Sequence, residues 1–122
     1  MDIFKAVKDN NFAELKQYIH DGQIDIQDKN GMTALMHAVD YNNIECVRML
    51  VNYKANVNIQ DKYGQIALMI AAGRNEKEIV EILIKAKSNL KVKSISGLTA
   101  YGFAINNGNK GIGDLIKKAG DI

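Results

Sequence analysis

The chain has 122 residues, of which 47% are hydrophobic and 25% are charged, and its formal net charge at pH 7 is +2. These values are ordinary for a single folded, soluble domain, and no apolar run approaches the roughly 20 residues that a membrane-spanning helix needs. Trp is absent and Cys46 is the one cysteine, so an internal disulfide is excluded and we expect an aliphatic core. The N-terminus lacks the basic start and apolar run of a signal peptide. We therefore expect a cytoplasmic protein.

Charge is distributed unevenly along the chain. Residues 1–60 hold 6 Lys and Arg against 8 Asp and Glu, whereas residues 61–122 hold 10 against 6. Four of the lysines in the second half form a cluster, which consists of Lys85, Lys87, Lys91 and Lys93. Such a cluster can attract an acidic partner or a phosphate backbone. No aromatic residue is interleaved with these lysines, so a solvated face is the favoured interpretation.

Residues 2–20 show two short helical patterns, in which apolar residues recur at spacings of three and four. The polar segment 9–11 predicts a turn between them that caps the second helix. Gly22 is expected to end that helix, because glycine readily takes the left-handed conformation common at helix ends. This first unit, residues 1–27, lacks the DxxG sequence that opens the later units. We predict that it is a terminal cap.

Residues 28–60 and 61–93 are two consecutive copies of one plan. Each copy opens with a turn; in the first, the pair Asn30-Gly31 predicts a type I′ turn, which needs positive φ at both residues. We predict that Thr33 caps a short inner helix and that an outer helix begins near Asn43, with its apolar residues on one face. The extended stretch at the end of each copy leads to the next turn.

The last unit, residues 94–122, repeats the turn at Gly97 and the inner helix that follows it. Its second helix must run through Gly111 and Gly113. Each interior glycine costs a helix about 0.8–1 kcal/mol relative to alanine. We therefore expect the last helix to be the loosest one.

The cycle of helix, turn, helix and extended loop, opened by DxxGxTALxxA and closed by Asn56-Val57-Asn58, resembles the ankyrin repeat. The resemblance covers essentially the whole chain as a single domain, residues 1–122. It implies an all-α solenoid of helix-turn-helix units joined by β-hairpin-like loops. It also implies a concave face, formed by the loop tips and inner helices, that binds other proteins. The implied units are 1–27, 28–60, 61–93 and 94–122.

The chain departs from the ankyrin pattern at two kinds of position. The TPLH motif of the family is replaced by TALM at 33–36, IALM at 66–69 and TAYG at 99–102. Loss of its histidine is expected to remove side-chain hydrogen bonds between neighbouring repeats, leaving methionine to fill space. Lysine also replaces glycine at two loop positions of the pattern, at Lys54 and Lys87. These departures are expected to lower stability, without changing the fold.

No residue pattern in the chain predicts catalysis, a cofactor or a metal site. His20 and His37 have no ligand or nucleophile partner at a useful spacing, and Cys46 lies on an apolar helix face, where a free cysteine is usually inert. The glycine-rich segment 108–114 has Asp114 where a phosphate-binding loop needs its lysine. An enzyme is therefore the least favoured class.

The resemblance implies that residues not needed for folding, at loop tips and on the exposed side of inner helices, are free to contact a partner. We predict Tyr41, Tyr63 and Arg74 as the main anchors, because tyrosine and arginine are common interface anchors. The favoured hypothesis is a monomeric, non-catalytic interaction module for a protein partner, with no membrane contact. The alternative is a nucleic-acid or polyanion binder that uses the lysine-rich C-terminal half. The predicted partner-binding residues are Lys29, Asn30, Met32, Asp40, Tyr41, Lys62, Tyr63, Gln65, Arg74, Ile95, Leu98 and Asn107.

Overall fold

The computed structural model describes residues 2–120, and within that range it contains eight α-helices and no β-strand. Residues 1, 121 and 122, which belong to the outer predicted units, lie outside the described residues. The all-α class predicted from the sequence is confirmed. The helices are α1 (Ile3–Lys8), α2 (Phe12–His20), α3 (Ala34–Asp40), α4 (Ile44–Asn52), α5 (Ala67–Gly73), α6 (Lys77–Lys85), α7 (Ala100–Asn106) and α8 (Lys110–Gly120).

The helices form four consecutive pairs that stack on one another. Within each pair the two helices are in contact, and the first, inner helices form one row in the order α1, α3, α5 and α7. The outer helices α4, α6 and α8 form a second row. Each pair contacts the pairs on either side of it, as expected for a repeat solenoid. The pairs fall within the four predicted units, whose boundaries stay a prediction.

Polar side chains begin most of the helices, as the sequence predicts. The Thr33 hydroxyl accepts a hydrogen bond from the Met36 backbone N–H at 3.2 Å, and Asn43 Oδ1 accepts one from the Cys46 N–H at 3.2 Å. At the starts of α5 and α6, Ile66 and Glu76 make no side-chain cap. The helix starts of the third pair are therefore stabilised by packing without side-chain caps, whereas those of the second pair have both.

The core between the two rows is aliphatic. Alanines on the inner helices are fully buried, which lets neighbouring helices approach closely, and Leu50 and Leu83 fill the space beneath the outer helices. Met36 and Met69 occupy the positions of the missing histidines and are only 2% and 1% exposed. The prediction that methionine fills this space is confirmed.

The loop before α3 turns between Asp28 and Gly31, but not as a type I′ turn. Only Gly31 of the Asn30-Gly31 pair has a positive φ, of 77°. The Gly31 N–H donates to the Asp28 carbonyl and the Asp28 N–H donates to the Met32 carbonyl, both at 2.9 Å, which gives a three-residue hairpin loop. The type I′ prediction is wrong because Asp28 Oδ1 accepts from the N–H groups of Asn30 and Met32, which stabilises the longer loop.

Neighbouring loops are joined to one another through their backbones. The Lys62 N–H donates to the Asn30 carbonyl at 3.0 Å, and the Ile95 N–H donates to the Tyr63 carbonyl at 2.9 Å. A Cβ atom on Gly31 would lie 2.9 Å from the Lys62 nitrogen. Glycine is therefore needed at position 31 for its positive φ and for this close approach.

Glutamine side chains supply hydrogen bonds between neighbouring repeats. Gln27 Nε2 donates to the carbonyls of Gly31 at 2.8 Å and of Gln60 at 3.1 Å. Gln60 Nε2 makes the matching bonds one repeat later, to the carbonyls of Gly64 at 2.9 Å and Lys93 at 3.5 Å. Neighbouring repeats are therefore joined by side-chain hydrogen bonds from glutamine, at a position other than that of the missing histidine.

Two lysines hold the left-handed conformation that glycine adopts most easily. Lys54 and Lys87 have φ angles of 71° and 72°. For a residue with a Cβ atom, this conformation lowers the free energy of unfolding by about 1–2 kcal/mol. Glycine avoids that loss, but its greater flexibility stabilises the unfolded chain by about 0.5–1 kcal/mol. We expect Lys54→Gly and Lys87→Gly each to raise the free energy of unfolding by about 0.5–1 kcal/mol in urea denaturation. Lys54→Ala is the control and should leave the free energy of unfolding nearly unchanged, because alanine also has a Cβ atom. A loss of stability in both glycine variants would contradict the assignment of strain.

The last outer helix, α8, is the longest helix, with 11 residues, although Gly111 and Gly113 lie inside it. Gly113 is buried, and a Cβ atom there would lie 2.7 Å from Ile105 Cδ1. Gly113 therefore allows close contact between α7 and α8. By contrast, a Cβ atom on Gly111 would have no other heavy atom within 4 Å.

This difference predicts the effect of alanine in the last helix. Gly111→Ala should raise the free energy of unfolding by about 0.8–1 kcal/mol, because alanine favours the helix and meets open space. Gly113→Ala should gain less, because Ile105 must move to admit the new methyl group. Urea denaturation of both variants measures the difference. Equal gains would show that Ile105 makes no contact that restrains it.

Candidate functional site

An open groove, which we call the inner groove, lies between the loops and the inner helices α3, α5 and α7 and has a volume of about 390 Å³. Its floor is apolar: Met69 is buried, and Ile70 and Phe103 are partly buried against the core. Because three inner helices contribute to it, the groove extends over three helix pairs. The lining residues are Met32, Asp40, Asp61, Tyr63, Gln65, Met69, Ile70, Gly73, Arg74, Phe103 and Asn107.

Tyr63 presents an exposed ring on a fixed backbone at the edge of this groove. The residue is 57% exposed. Its N–H donates to Asp61 Oδ1 at 2.9 Å, and its carbonyl accepts from the Ile95 N–H at 2.9 Å. The Lys62 ammonium lies 5.1 Å from the ring centroid, within reach of a cation–π interaction. A ring held in this way would lose little conformational entropy on binding.

Arg74 and Asp40, which both line the inner groove, form an ion pair with each other. Arg74 follows α5, Asp40 is the last residue of α3, and the distance from Arg74 Nη2 to Asp40 Oδ1 is 2.5 Å. Their side chains are 54% and 39% exposed. Ion pairs this exposed contribute about 0–1 kcal/mol to stability. Either side chain can therefore leave this ion pair and contact an oppositely charged group of a partner, with little loss of stability.

Glu76, at the start of α6, lies close enough to this ion pair to interact electrostatically with both Arg74 and Asp40. Its Oε1 atom is buried and has no hydrogen-bond partner among the described residues. Burial raises the pKa of Glu76 to about 7; Arg74 opposes this rise and Asp40 adds to it. The charge beside Arg74 therefore changes close to neutral pH.

The structure also contains a carboxylate–histidine pair that sequence analysis missed. His37 Nε2 lies 2.8 Å from Asp28 Oδ2. Burial alone would raise the pKa of Asp28, but the hydrogen bonds from His37, Met32 and Asn30 outweigh it and leave the pKa below its ordinary value. Asp28 thus stabilises the fold above its ordinary pKa, and this contribution is lost as the pH falls through the lowered value. The pair fastens the loop to α3.

The inner groove brings together six of the predicted partner-binding residues. Arg74 and Asp40 form the ion pair, and Asn107 Nδ2 donates to the Phe103 carbonyl at 2.8 Å, so not all of these side chains are unpaired. The six are Met32, Asp40, Tyr63, Gln65, Arg74 and Asn107.

The other predicted residues lie outside the lining of this groove. Tyr41 is 48% exposed and its ring stacks on that of His37, with 6.3 Å between centroids. Ile95, in the last loop, is 78% exposed, whereas Leu98 is partly buried. Lys29 is exposed at its loop tip. Asn30 and Lys62 are joined by a hydrogen bond of 3.1 Å from Lys62 Nζ to Asn30 Oδ1.

The apolar floor of the groove, which Met69, Ile70 and Phe103 provide, was not predicted from the sequence. A signal for two of them was available, because Ile70 and Phe103 occupy the repeat position that His37 has in the second unit. That position shows apolar residues in two repeats and a polar one in the third. Such variation distinguishes a partly exposed helix position from a core position.

A second open groove, the outer groove, lies between the ends of α4 and α6 and has a volume of about 550 Å³. Of the four clustered lysines, Lys85 lines it. Lys87, Lys91 and Lys93 are not among the residues that line it. The four lysines therefore do not share this groove.

The described residues do not point to a catalytic or metal centre. Residues 2–120 hold no group of three His, Cys, Asp or Glu side chains placed to bind a metal ion. Cys46 is buried, and burial raises the pKa of its thiol to about 11, so the reactive thiolate is scarce at neutral pH. Within the same range, each helix is too short or too polar to cross a bilayer.

Comparison with protein families gives one match that covers the chain. The family model described as ankyrin repeats (3 copies) matches residues 3–94 and 54–122. The sequence is thus similar to this family over nearly its full length. A search of curated proteins finds no match.

Proposed function

Because the chain belongs to the ankyrin repeat family, we propose that it is a non-catalytic module that holds a protein partner in the inner groove. Ankyrin repeats are generally protein–protein interaction modules, and the family is typically non-catalytic. We propose further that it acts as a monomer in the cytoplasm; its one cysteine, Cys46, which excludes an internal disulfide, fits a reducing compartment. The bound partner is a protein of unknown identity.

The observation that carries this proposal is the exposed ring of Tyr63 beside an apolar floor and an exposed ion pair. The floor formed by Ile70 and Phe103 would bury an apolar side chain of the partner. Arg74 and Asp40 lie at one side of that floor, where they can exchange their mutual contact for contacts with the partner. Binding energy in such a surface is concentrated in a few aromatic and arginine anchors.

Affinity capture from the source cell tests the proposal. The variant Tyr63→Ala/Arg74→Ala, in which both replaced residues line the inner groove, should lose the captured partner, while its helical circular dichroism stays that of the wild type. A control replaces two exposed tyrosines that line neither the inner nor the outer groove. It is Tyr53→Ala/Tyr101→Ala. Retained capture by the first variant, or equal loss in the control, would contradict the assignment of the site.

Nucleic-acid or polyanion binding is the less favoured function. Of the four clustered lysines, Lys85 alone lines the outer groove, so this groove offers a phosphate chain few of their charges. Titration with single-stranded and duplex DNA at low and moderate salt separates the two functions. Tight DNA binding that weakens steeply with salt would favour this alternative.

A further inference from the structure

The outer groove combines positive charge with an aliphatic floor. Arg48, Lys54 and Lys85 line it, and none of its lining residues is acidic. The floor consists of the partly buried side chains of Val51 and Ile82 with two alanines. This surface therefore attracts anions along its rim and apolar groups along its base.

Two of these three cations have no charged partner among the residues that the structure describes. Arg48 Nη2 pairs with Glu78 Oε2 at 3.0 Å, where both side chains are about half exposed. Lys54 and Lys85 have no ion-pair partner among residues 2–120. Their charges remain available to a ligand.

Lys54 is also kept in an unfavourable backbone conformation. Its φ of 71° is one that glycine adopts without the steric cost that a Cβ atom brings. Lys87 has the same conformation one repeat later, so the strain belongs to the repeat and does not by itself indicate a function. Of these two lysines, Lys54 is the one that lines the outer groove.

The lining favours a protein segment over a nucleic acid. No aromatic residue lines the outer groove, so bases would have no ring on which to stack. Three cations are few for a phosphate chain, whose binding depends on many such contacts. An aliphatic floor, by contrast, suits the side chains of leucine, isoleucine or valine.

We infer that the outer groove binds an acidic protein segment, in which carboxylates contact Lys54 and Lys85 and interspersed aliphatic side chains cover Val51 and Ile82. This site lies on the outer helices α4 and α6, whereas the inner groove lies on α3, α5 and α7. The two surfaces share no lining residue. The protein would thus hold two segments at once.

Fluorescence anisotropy with a short fluorescein-labelled peptide of interspersed glutamate and leucine tests this inference. The wild-type protein should bind this peptide, with affinity that falls as salt is added, and should bind a peptide with glutamine in place of glutamate more weakly. Lys54→Gly should weaken binding about two- to fivefold, as one partly exposed ion pair predicts, although it stabilises the fold. Lys85→Glu should weaken it about tenfold or more, because it also adds repulsion.

Lys87→Gly is the matched control for Lys54→Gly. It relieves the same backbone strain, but Lys87 does not line the outer groove, so peptide affinity should stay unchanged. Tyr63→Ala should also leave it unchanged, which separates this site from the inner groove. Absence of peptide binding, equal affinity of wild type and Lys54→Gly, equal affinity for the glutamine peptide, or tighter binding of single-stranded DNA would each overturn the inference.

Discussion

Replacing Gly31 by alanine is expected to lower the free energy of unfolding by about 2–5 kcal/mol. The positive φ of 77° accounts for about 1–2 kcal/mol of this loss. The added methyl group would also lie 2.9 Å from the Lys62 nitrogen, so the next loop must move, at a cost of about 1–3 kcal/mol. That movement would strain the hydrogen bond from the Lys62 N–H to the Asn30 carbonyl. Urea denaturation followed by circular dichroism measures the total.

Gly97→Ala is the control that isolates the contact between loops. Gly97 has a similar φ of 84°, but a Cβ atom there would meet nothing within 4 Å, because Gly97 lies in the last such loop of the described residues. Its replacement should lower the free energy of unfolding by about 1–2 kcal/mol, through the backbone term alone. Equal losses at Gly31 and Gly97 would show that the close approach of neighbouring loops contributes nothing to stability.

Stability is expected to fall as the pH rises from about 4.5 to about 7, through the titration of Glu76. Because burial raises the pKa of Glu76 from 4.5 to about 7, the folded protein holds this proton over a range in which the unfolded chain has released it. The resulting stabilisation is present in full below pH 4.5 and is lost as the pH passes 7. Its size, after allowance for partial exposure to solvent, is about 1–2 kcal/mol.

Glu76→Gln should remove this dependence, so that the variant gains stability relative to the wild type between pH 4.5 and 7. Thermal unfolding of both proteins at several pH values measures the difference, in which the other titrating groups cancel. Glu81→Gln, an exposed position on the same helix, is the control and should follow the wild type. Parallel curves for Glu76→Gln and the wild type would contradict the role of the buried carboxyl.

The repeat made much of the fold predictable from sequence. The same residue types recur at the same steps, so helix starts at Thr33 and Asn43 and the buried Met36 follow from pattern and capping chemistry. These features depend on neighbours within a few residues. They can therefore be inferred without knowing how the repeats stack.

The turn at Asp28 and the ties between repeats could not be inferred in this way. The dipeptide Asn30-Gly31 favours one turn in isolation, but the Asp28 carboxylate accepts from two N–H groups and selects another. Gln27 reaches the Gln60 carbonyl across 33 positions of sequence. Such bonds depend on the distance between neighbouring loops, which only the stacked structure sets.

The candidate site was predictable in its position and less so in its chemistry. Tyr63 and Arg74 were identified as residues that the repeat does not need for folding, and both line the inner groove. The pairing of Arg74 with Asp40 and the floor residue Phe103 were missed. Whether an exposed side chain is already paired depends on residues of the neighbouring repeat, and the sequence pattern within one repeat does not include them.

Amide hydrogen exchange of the protein alone and in complex with its captured partner tests the central claim most directly. If the partner binds in the inner groove, exchange should slow in the loop segments 28–32 and 61–65 and toward the ends of α3, α5 and α7, with little change on α4. Slowed exchange confined to the outer helices α4 and α6, with the loops unchanged, would contradict the proposed function.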